Sequence, residues 1–161
     1  MTPIQLKEIL AQHQLWLDSD GELGTSLDVL GDDFRGADLT GVDLRGATLT
    51  RASLFEADLN GATLTGADLF EANLRRANLN EANLRGADLR WAYLIRTNLT
   101  RADLRGANLD GANLRGAELG PEIRECWTFE RAKVSEDQLA WLCLHPKFSE
   151  WVSGLKIGVK Q

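Results

Sequence analysis

Leucine recurs at every fifth position through the middle of the chain, and its neighbours recur with it. Seventeen consecutive leucines keep this spacing from Leu39 to Leu119. The residue two places before the leucine is alanine in 15 of the 17 units, and the residue between them is Asp or Asn in 12. The repeating unit is therefore Ala-(Asp/Asn)-Leu followed by two variable residues. A fixed internal period of this kind is typical of a repeat architecture.

A period of five fits neither a regular helix nor a continuous strand. Five residues turn an α-helix by about 500°, so successive leucines would form no stripe. On a continuous strand, an odd step sends each leucine to the opposite face. Both difficulties disappear if each unit is a short extended piece followed by a corner. Alanine and leucine then point inward, the polar residue between them points outward, and the last two residues, often including glycine (Gly36, Gly106), turn the chain.

The unit at residues 37–41, Ala-Asp-Leu-Thr-Gly, and its successors resemble the pentapeptide repeat protein family. The resemblance implies an all-β solenoid: a right-handed quadrilateral β-helix with four units to a coil, here about five coils. It covers residues 32–121 without a break. It fails at 122–126, where Arg124 would occupy a core position, and resumes in phase at 127–136. We therefore predict a repeat domain over residues 32–136 that is irregular at 122–126.

Both ends of such a solenoid expose its core and need caps. We predict an N-terminal helical cap over residues 1–31, with Thr2 as N-cap and Pro3 at the first helical position. Its apolar face consists of Leu6, Ile9, Leu10, His13, Trp16 and Leu17. His13 on this face is interpreted as a hydrogen-bonded core residue. Residues 137–161 are predicted to form a C-terminal helical cap and tail, and the family resemblance leaves open a homodimer formed through this cap.

Composition and charge narrow the function. The 161 residues carry 24 acidic and 18 basic side chains, a net charge of −6, which argues against direct nucleic-acid binding. Apolar runs are too short to cross a bilayer, so no membrane association is expected. The start of the chain lacks a basic region followed by a long apolar stretch, and the two cysteines fit reduced thiols. We therefore expect a cytoplasmic protein.

No pattern of catalytic residues is visible. Nucleotide-binding and zinc-protease motifs are absent from the sequence, and the two histidines, His13 and His145, lie near opposite ends of the chain. The many Asp and Asn residues recur because each unit needs a short polar residue at its outward position. We predict no enzymatic activity, no metal site and no cofactor.

Outward-facing apolar residues are the strongest candidate for a functional site. With four units to a coil, residues 20 apart stack on the same face. This register gathers five large apolar residues along one edge of the solenoid: Phe55, Phe70, Trp91, Tyr93 and Ile95. Four arginines are expected to rim this edge: Arg75, Arg76, Arg90 and Arg96. Two interpretations stay open, since the side chains could stabilise the solenoid by stacking or bind a protein partner.

Three functions follow from these patterns. The first is a non-enzymatic scaffold that binds an unidentified protein partner. The alternative is a DNA mimic that binds type II topoisomerase (DNA gyrase), as the resemblance to one branch of the family implies. The sequence departs from that branch, because its core positions are Leu rather than mostly Phe and residues 32–121 carry 13 acidic against 11 basic side chains. The third is a purely structural spacer.

Overall fold

The computed structural model describes residues 2–120, 133–134 and 156–157. One helix precedes the repeats, and short strands occur late in the chain. The elements are α1 (Pro3–Asp18), β1 (Asn98–Leu99), β2 (Glu118–Leu119), β3 (Lys133–Val134) and β4 (Lys156–Ile157). Within the described residues, no helix combines the length and the apolar character needed to span a bilayer.

Successive coils are joined by a parallel ladder whose register is the same at every step. Isolated parallel bridges run from the pair Asp28 and Thr48 to the pair Tyr93 and Asn113. The parallel pair β1 and β2 continues the ladder in the same register, with Asn98 opposite Glu118. Each coil therefore takes four units. Neighbouring coils are held by backbone hydrogen bonds of 2.7–3.1 Å, three from most units.

Alanine and leucine fill the interior, as the repeat predicts. Every repeat leucine from Leu39 to Leu114 is buried, and so is every repeat alanine from Ala47 to Ala117. The exception at the alanine position is Thr97, which is fully buried and whose hydroxyl donates a hydrogen bond to the carbonyl of Leu74 (2.6 Å). Because the coils stack, these side chains form one continuous apolar core. Burial of each leucine side chain contributes about 1.5–3 kcal/mol to the free energy of unfolding.

Each unit ends in a β-turn that explains both its glycine and its Asp or Asn. The turn is closed by the alanine N–H donating to the preceding leucine carbonyl, and the residue before alanine has a φ of +55° to +72°. Only glycine adopts this conformation without strain. The Asp or Asn side chain accepts a hydrogen bond from the backbone N–H two residues later, as Asp38 does from Thr40 (3.1 Å). This local bond stabilises the turn.

Helix α1 has the predicted N-terminus and the predicted inward face. The Thr2 hydroxyl accepts a hydrogen bond from the N–H of Gln5 (3.2 Å), and the Gln5 side chain accepts one from the N–H of Thr2 (2.9 Å), which completes a capping box. Leu6, Ile9 and Leu10 pack against the repeat core. These contacts place α1 over the first coil.

The first coil begins earlier than the repeat pattern indicates. Leu27 and Val29 are buried at the two inward positions of a unit, and Asp28 between them already joins the ladder. Residues 27–31 therefore form one repeat unit ahead of the predicted boundary at 32. The repeat pattern does not predict this unit, because its inward residues are Leu and Val rather than Ala and Leu.

The C-terminal predictions lie mostly outside the described residues. These are the irregular segment 122–126, the helical cap at 137–161 and the homodimer formed through it. The described strands β3 and β4 pair in parallel, with Lys133 opposite Lys156 and Val134 opposite Ile157. Partners in this pair are further apart in sequence than those of β1 and β2, so the pair does not keep the register of the coils.

Candidate interaction surface

The five candidate residues do not line a single edge, as the sequence predicted, but spread across one face of the solenoid and its two corners. We call this face 1; its outward central residues are Asp33, Ser53, Asn73, Tyr93 and Asn113. Phe70 and Trp91 lie at the turns that lead into face 1, the leading corner. Phe55 and Ile95 lie at the turns that leave it, the trailing corner. We call the five residues together the aromatic surface.

Trp91 occupies a turn position that the fold itself would give to glycine. Its φ is +59°, and its side chain is 43% exposed. The indole ring lies over Gly111 of the next coil, where a Cβ atom would stand 2.6 Å from the ring. Gly111 therefore leaves the space in which the indole packs. The left-handed conformation of Trp91 lowers the free energy of unfolding by about 1–2 kcal/mol relative to glycine at this position.

Tyr93 replaces the Asp or Asn at the outward centre of its unit. It is 47% exposed and pairs in the ladder with Asn73 and Asn113. Each of these asparagines accepts a hydrogen bond from the backbone N–H two residues later (3.4 Å). A phenol ring has no oxygen within that reach, so Tyr93 gives up the turn bond of the repeat. Ile95, two residues later, is half-buried.

Phe55 and Phe70 are half-buried and covered by arginines. The guanidinium carbon of Arg76 lies 5.9 Å from the ring centre of Phe55, and that of Arg90 lies 5.5 Å from the ring centre of Phe70. Such cation–π contacts contribute about 0.5–1 kcal/mol each at exposed sites. The same arginines form ion pairs, Arg76 with Glu56 (2.9 Å) and Arg90 with Asp88 (2.6 Å). Two of the four predicted rim arginines are thus occupied within the solenoid.

The other two predicted rim arginines belong to a group of three at the trailing corner. Arg75 and Arg96 are exposed and form no ion pair within the described residues. Arg115, which the sequence analysis did not assign to the rim, shares these properties and lies at the same corner. The period already places Arg115 in line with Arg75, because it follows Arg75 by two coils. The aliphatic part of Arg96 packs over Gly116 (3.5 Å to the Cβ position).

Carboxylates elsewhere in the repeats are arranged for structure. Asp33 and Asp103 each pair with the arginine two residues later, and hydrogen bonds from these guanidinium groups lower the pKa of both carboxyl groups. An acid with a lowered pKa holds no proton to donate near neutral pH. Within the described part of the chain, no group of three potential metal ligands comes together.

A groove of about 490 Å³ lies between α1 and the first coil. Its walls are largely apolar and include Leu6, Leu10 and Phe34. Asp33 at its margin is held by the ion pair with Arg35 (3.0 Å). Lys7 and Asp38 also line the groove, and Asp38 accepts a hydrogen bond from the backbone N–H of Thr40 (3.1 Å).

Comparison with known proteins connects these features to a family. Residues 33–69 and 82–120 match the family model described as pentapeptide repeats, in eight copies. No curated protein sequence matches the chain. Proteins with this repeat fold as right-handed quadrilateral β-helices and are generally non-enzymatic structural or interaction modules.

Three solved structures illustrate the similarity. HetL, a pentapeptide repeat protein involved in heterocyst differentiation regulation in the cyanobacterium Nostoc, is 31% identical over 69% of this chain, with a TM-score of 0.47. The chain spans 60% of the length of HetL. Rfr23 from the cyanobacterium Cyanothece is 26% identical over 82% of this chain and 97% of its own, with a TM-score of 0.53. A pentapeptide repeat protein of the Arabidopsis thaliana thylakoid lumen is 31% identical over 74% of this chain and 76% of its own, with a TM-score of 0.26.

Proposed function

Since the chain belongs to the pentapeptide repeat family, we propose that it is a non-enzymatic scaffold that binds a protein partner through the aromatic surface. Trp91 and Tyr93 form the centre of the binding site, with Ile95 beside them. Phe55 and Phe70, which arginines already cover, contribute at its margin. The partner is a protein because large exposed aromatic side chains are the residues that dominate protein–protein binding energy.

One observation carries this proposal: two neighbouring aromatic residues occupy positions where the fold favours other residues. The equivalent unit one coil later reads Gly111, Ala112, Asn113, Leu114, which suits the turn and the ladder. Trp91 adds left-handed strain to this unit and Tyr93 removes a turn hydrogen bond, yet 43% of Trp91 and 47% of Tyr93 remain exposed. Departures from local rules without a gain in stability are concentrated at functional sites.

The scaffold holds these side chains in fixed positions. The backbone of the unit is bonded to both neighbouring coils: the N–H of Trp91 donates to the carbonyl of Asp110 (2.9 Å), and the N–H of Tyr93 to that of Ala72 (2.9 Å). A rigid surface loses little conformational entropy on binding, so less of the interaction energy is lost to ordering.

The test is a double variant, Trp91→Gly with Tyr93→Asn, which gives residues 91–94 the sequence of residues 111–114 one coil later. Because that sequence already fits the fold, the variant should unfold at the wild-type urea concentration or slightly above. In a pull-down from a lysate of the source organism, we expect it to lose the proteins that the wild type captures.

Leu30→Thr is the matched control. Leu30 is 66% exposed at the leading corner of the first coil, outside the aromatic surface, and Thr50 occupies the equivalent position one coil later. This variant should capture the same proteins as the wild type. Equal capture by the wild type and the folded double variant would refute the proposed site and return its aromatic residues to a structural role.

The DNA-mimic alternative depends on the acid-rich N-terminal part, where residues 1–73 carry 13 acidic and 4 basic side chains. A mimic needs a continuous negative face. Two of the aspartates in the first coils, Asp33 and Asp43, are instead bound by Arg35 (3.0 Å) and Arg45 (2.7 Å). We expect micromolar protein to leave DNA gyrase supercoiling unchanged; inhibition in that assay would favour the mimic over the scaffold.

A further inference from the structure

We propose that the partner presents carboxylate side chains in a short acidic segment, and that Arg75, Arg96 and Arg115 at the trailing corner bind them. This inference rests on the proposed function, because it names the chemistry of the partner that the aromatic surface binds. The segment lies beside Tyr93 and Ile95, with its acidic side chains directed to the arginines.

The pairing pattern of the arginines supports this inference. The described repeats contain 11 arginines, and seven of them form ion pairs with a carboxylate of the same or the neighbouring coil. The four that form no ion pair within the described residues are Arg75, Arg85, Arg96 and Arg115. Three of these four lie at the trailing corner, next to the aromatic surface. Among the described residues, the positive charge that forms no ion pair is thus concentrated at the proposed site.

The spacing of the three arginines suits an extended segment. They belong to three successive coils, and adjacent coils lie about 4.8 Å apart, so their backbone positions span about 10 Å along the solenoid. Roughly three to four residues of extended chain cover that distance. The planar guanidinium group of arginine binds a carboxylate with two parallel hydrogen bonds, which favours this pairing over a diffuse charge attraction.

The surrounding charges favour an acidic protein segment over a nucleic acid. The whole chain has a net charge of −6, whereas nucleic-acid binding needs a long cationic track. The leading corner on the other side of face 1 carries two acids, Glu71 and Asp110, and two arginines that are already paired, Arg51 with Glu71 (2.7 Å) and Arg90 with Asp88 (2.6 Å). One carboxylate oxygen of Asp110 is buried without a hydrogen-bond partner among the described residues. A polyphosphate backbone crossing face 1 would find no arginine without an ion pair at the leading corner of the described coils, whereas a short acidic segment at the trailing corner meets three.

The test selects peptides from a displayed library of random dodecapeptides against the immobilised full-length protein. The most enriched peptide is then labelled with a fluorophore, and its affinity is measured by fluorescence anisotropy at low and high salt. We expect enriched peptides to carry several acidic residues together with apolar ones. The triple variant Arg75→Gln, Arg96→Gln, Arg115→Gln should bind the peptide at least about tenfold more weakly and with less dependence on salt.

Arg85→Gln is the matched control, because Arg85 also forms no ion pair in the described residues but lies at a different corner; it should bind like the wild type. Enrichment of neutral or basic peptides, or wild-type affinity in the triple variant, would overturn the inference. If the Trp91→Gly, Tyr93→Asn variant alone loses binding, the proposed function stands without the acidic partner. If no peptide is enriched, or neither variant loses binding, both fail. Tighter binding of a single-stranded oligonucleotide through the same arginines would replace the acidic protein segment with a nucleic acid.

Discussion

At the scale of single residues, the left-handed turn position shows how the repeat tolerates residues other than glycine. Pairs of charged residues occupy this position in adjacent coils and bind each other: Arg51 with Glu71 (2.7 Å) and Glu81 with Arg101 (2.9 Å). Each pair contributes up to about 1 kcal/mol at the surface, which partly offsets the strain. Trp91 has no such partner, and its indole instead packs on glycine.

Two glycine substitutions separate backbone strain from the packing of Trp91. Gly66→Ala adds a methyl group that meets nothing within 4 Å, so only the positive φ of +66° is unfavourable, at about 1 kcal/mol. Gly111→Ala adds a methyl group 2.6 Å from the indole, and overpacking should cost a further 1–3 kcal/mol or so. Urea unfolding followed by circular dichroism measures both; equal losses of stability would mean that the indole does not lie on Gly111.

At the scale of elements, α1 is joined to the first coil through a buried histidine. His13 is fully buried, stacks on Trp16 (5.7 Å between ring centres), and its Nδ1 accepts a hydrogen bond from the N–H of Leu27 (2.9 Å). Its Nε2 has no hydrogen-bond partner among the described residues. The sequence predicted a hydrogen-bonded core histidine, and the structure confirms it. The sequence does not identify the hydrogen-bond donor, because Leu27 lies in a unit that departs from the repeat pattern.

This histidine predicts acid sensitivity of the cap. Burial lowers the pKa of His13 from its ordinary 6.5, although the nearby charge of Asp43 raises it and that of Arg45 lowers it. The unfolded chain therefore binds this proton more readily than the folded chain does, so stability should fall as the pH drops below about 6.5. Protonation at Nδ1 would also remove the acceptor for Leu27. Urea midpoints measured from about pH 7.5 to about pH 5 test this.

His13→Gln supplies the control, because its side-chain oxygen can still accept a hydrogen bond but does not titrate. Its midpoint should stay nearly constant across this range. The aspartates with lowered pKa titrate below 3.8, outside the window, and His145 is present in both proteins. Parallel pH profiles for the wild type and His13→Gln would show that His13 does not control the cap.

At the scale of the whole molecule, the sequence predicted the fold far better than which residues of the aromatic surface are exposed. In a solenoid, the position of a residue within its unit decides whether it points inward or outward, and its number modulo 20 decides its face. Register therefore brings Phe55, Phe70, Trp91, Tyr93 and Ile95 to face 1 and its two corners, although the sequence analysis predicted a single edge. It could not show that two of them are covered, because long arginine side chains reach their partners through rotamers that the period does not fix.

The same reasoning explains the incomplete prediction of the arginines. Whether an arginine is occupied depends on a carboxylate in its own unit or one coil away, as for Arg90 with Asp88 and Arg76 with Glu56. The sequence shows that such pairs are within reach, and only the structure shows which of them form. Only the structure shows that Arg75, Arg96 and Arg115 share the absence of an ion pair within the described residues.

The central claim is that face 1 around Tyr93 contacts a partner protein, and site-specific photo-crosslinking tests it most directly. A photoreactive phenylalanine analogue is incorporated in place of Tyr93, and in a second protein in place of Thr63, the equivalent position on the opposite face. After irradiation in cells of the source organism, we predict a discrete adduct from position 93 and none from position 63. The same adducts from both positions, or none from position 93, would contradict the account.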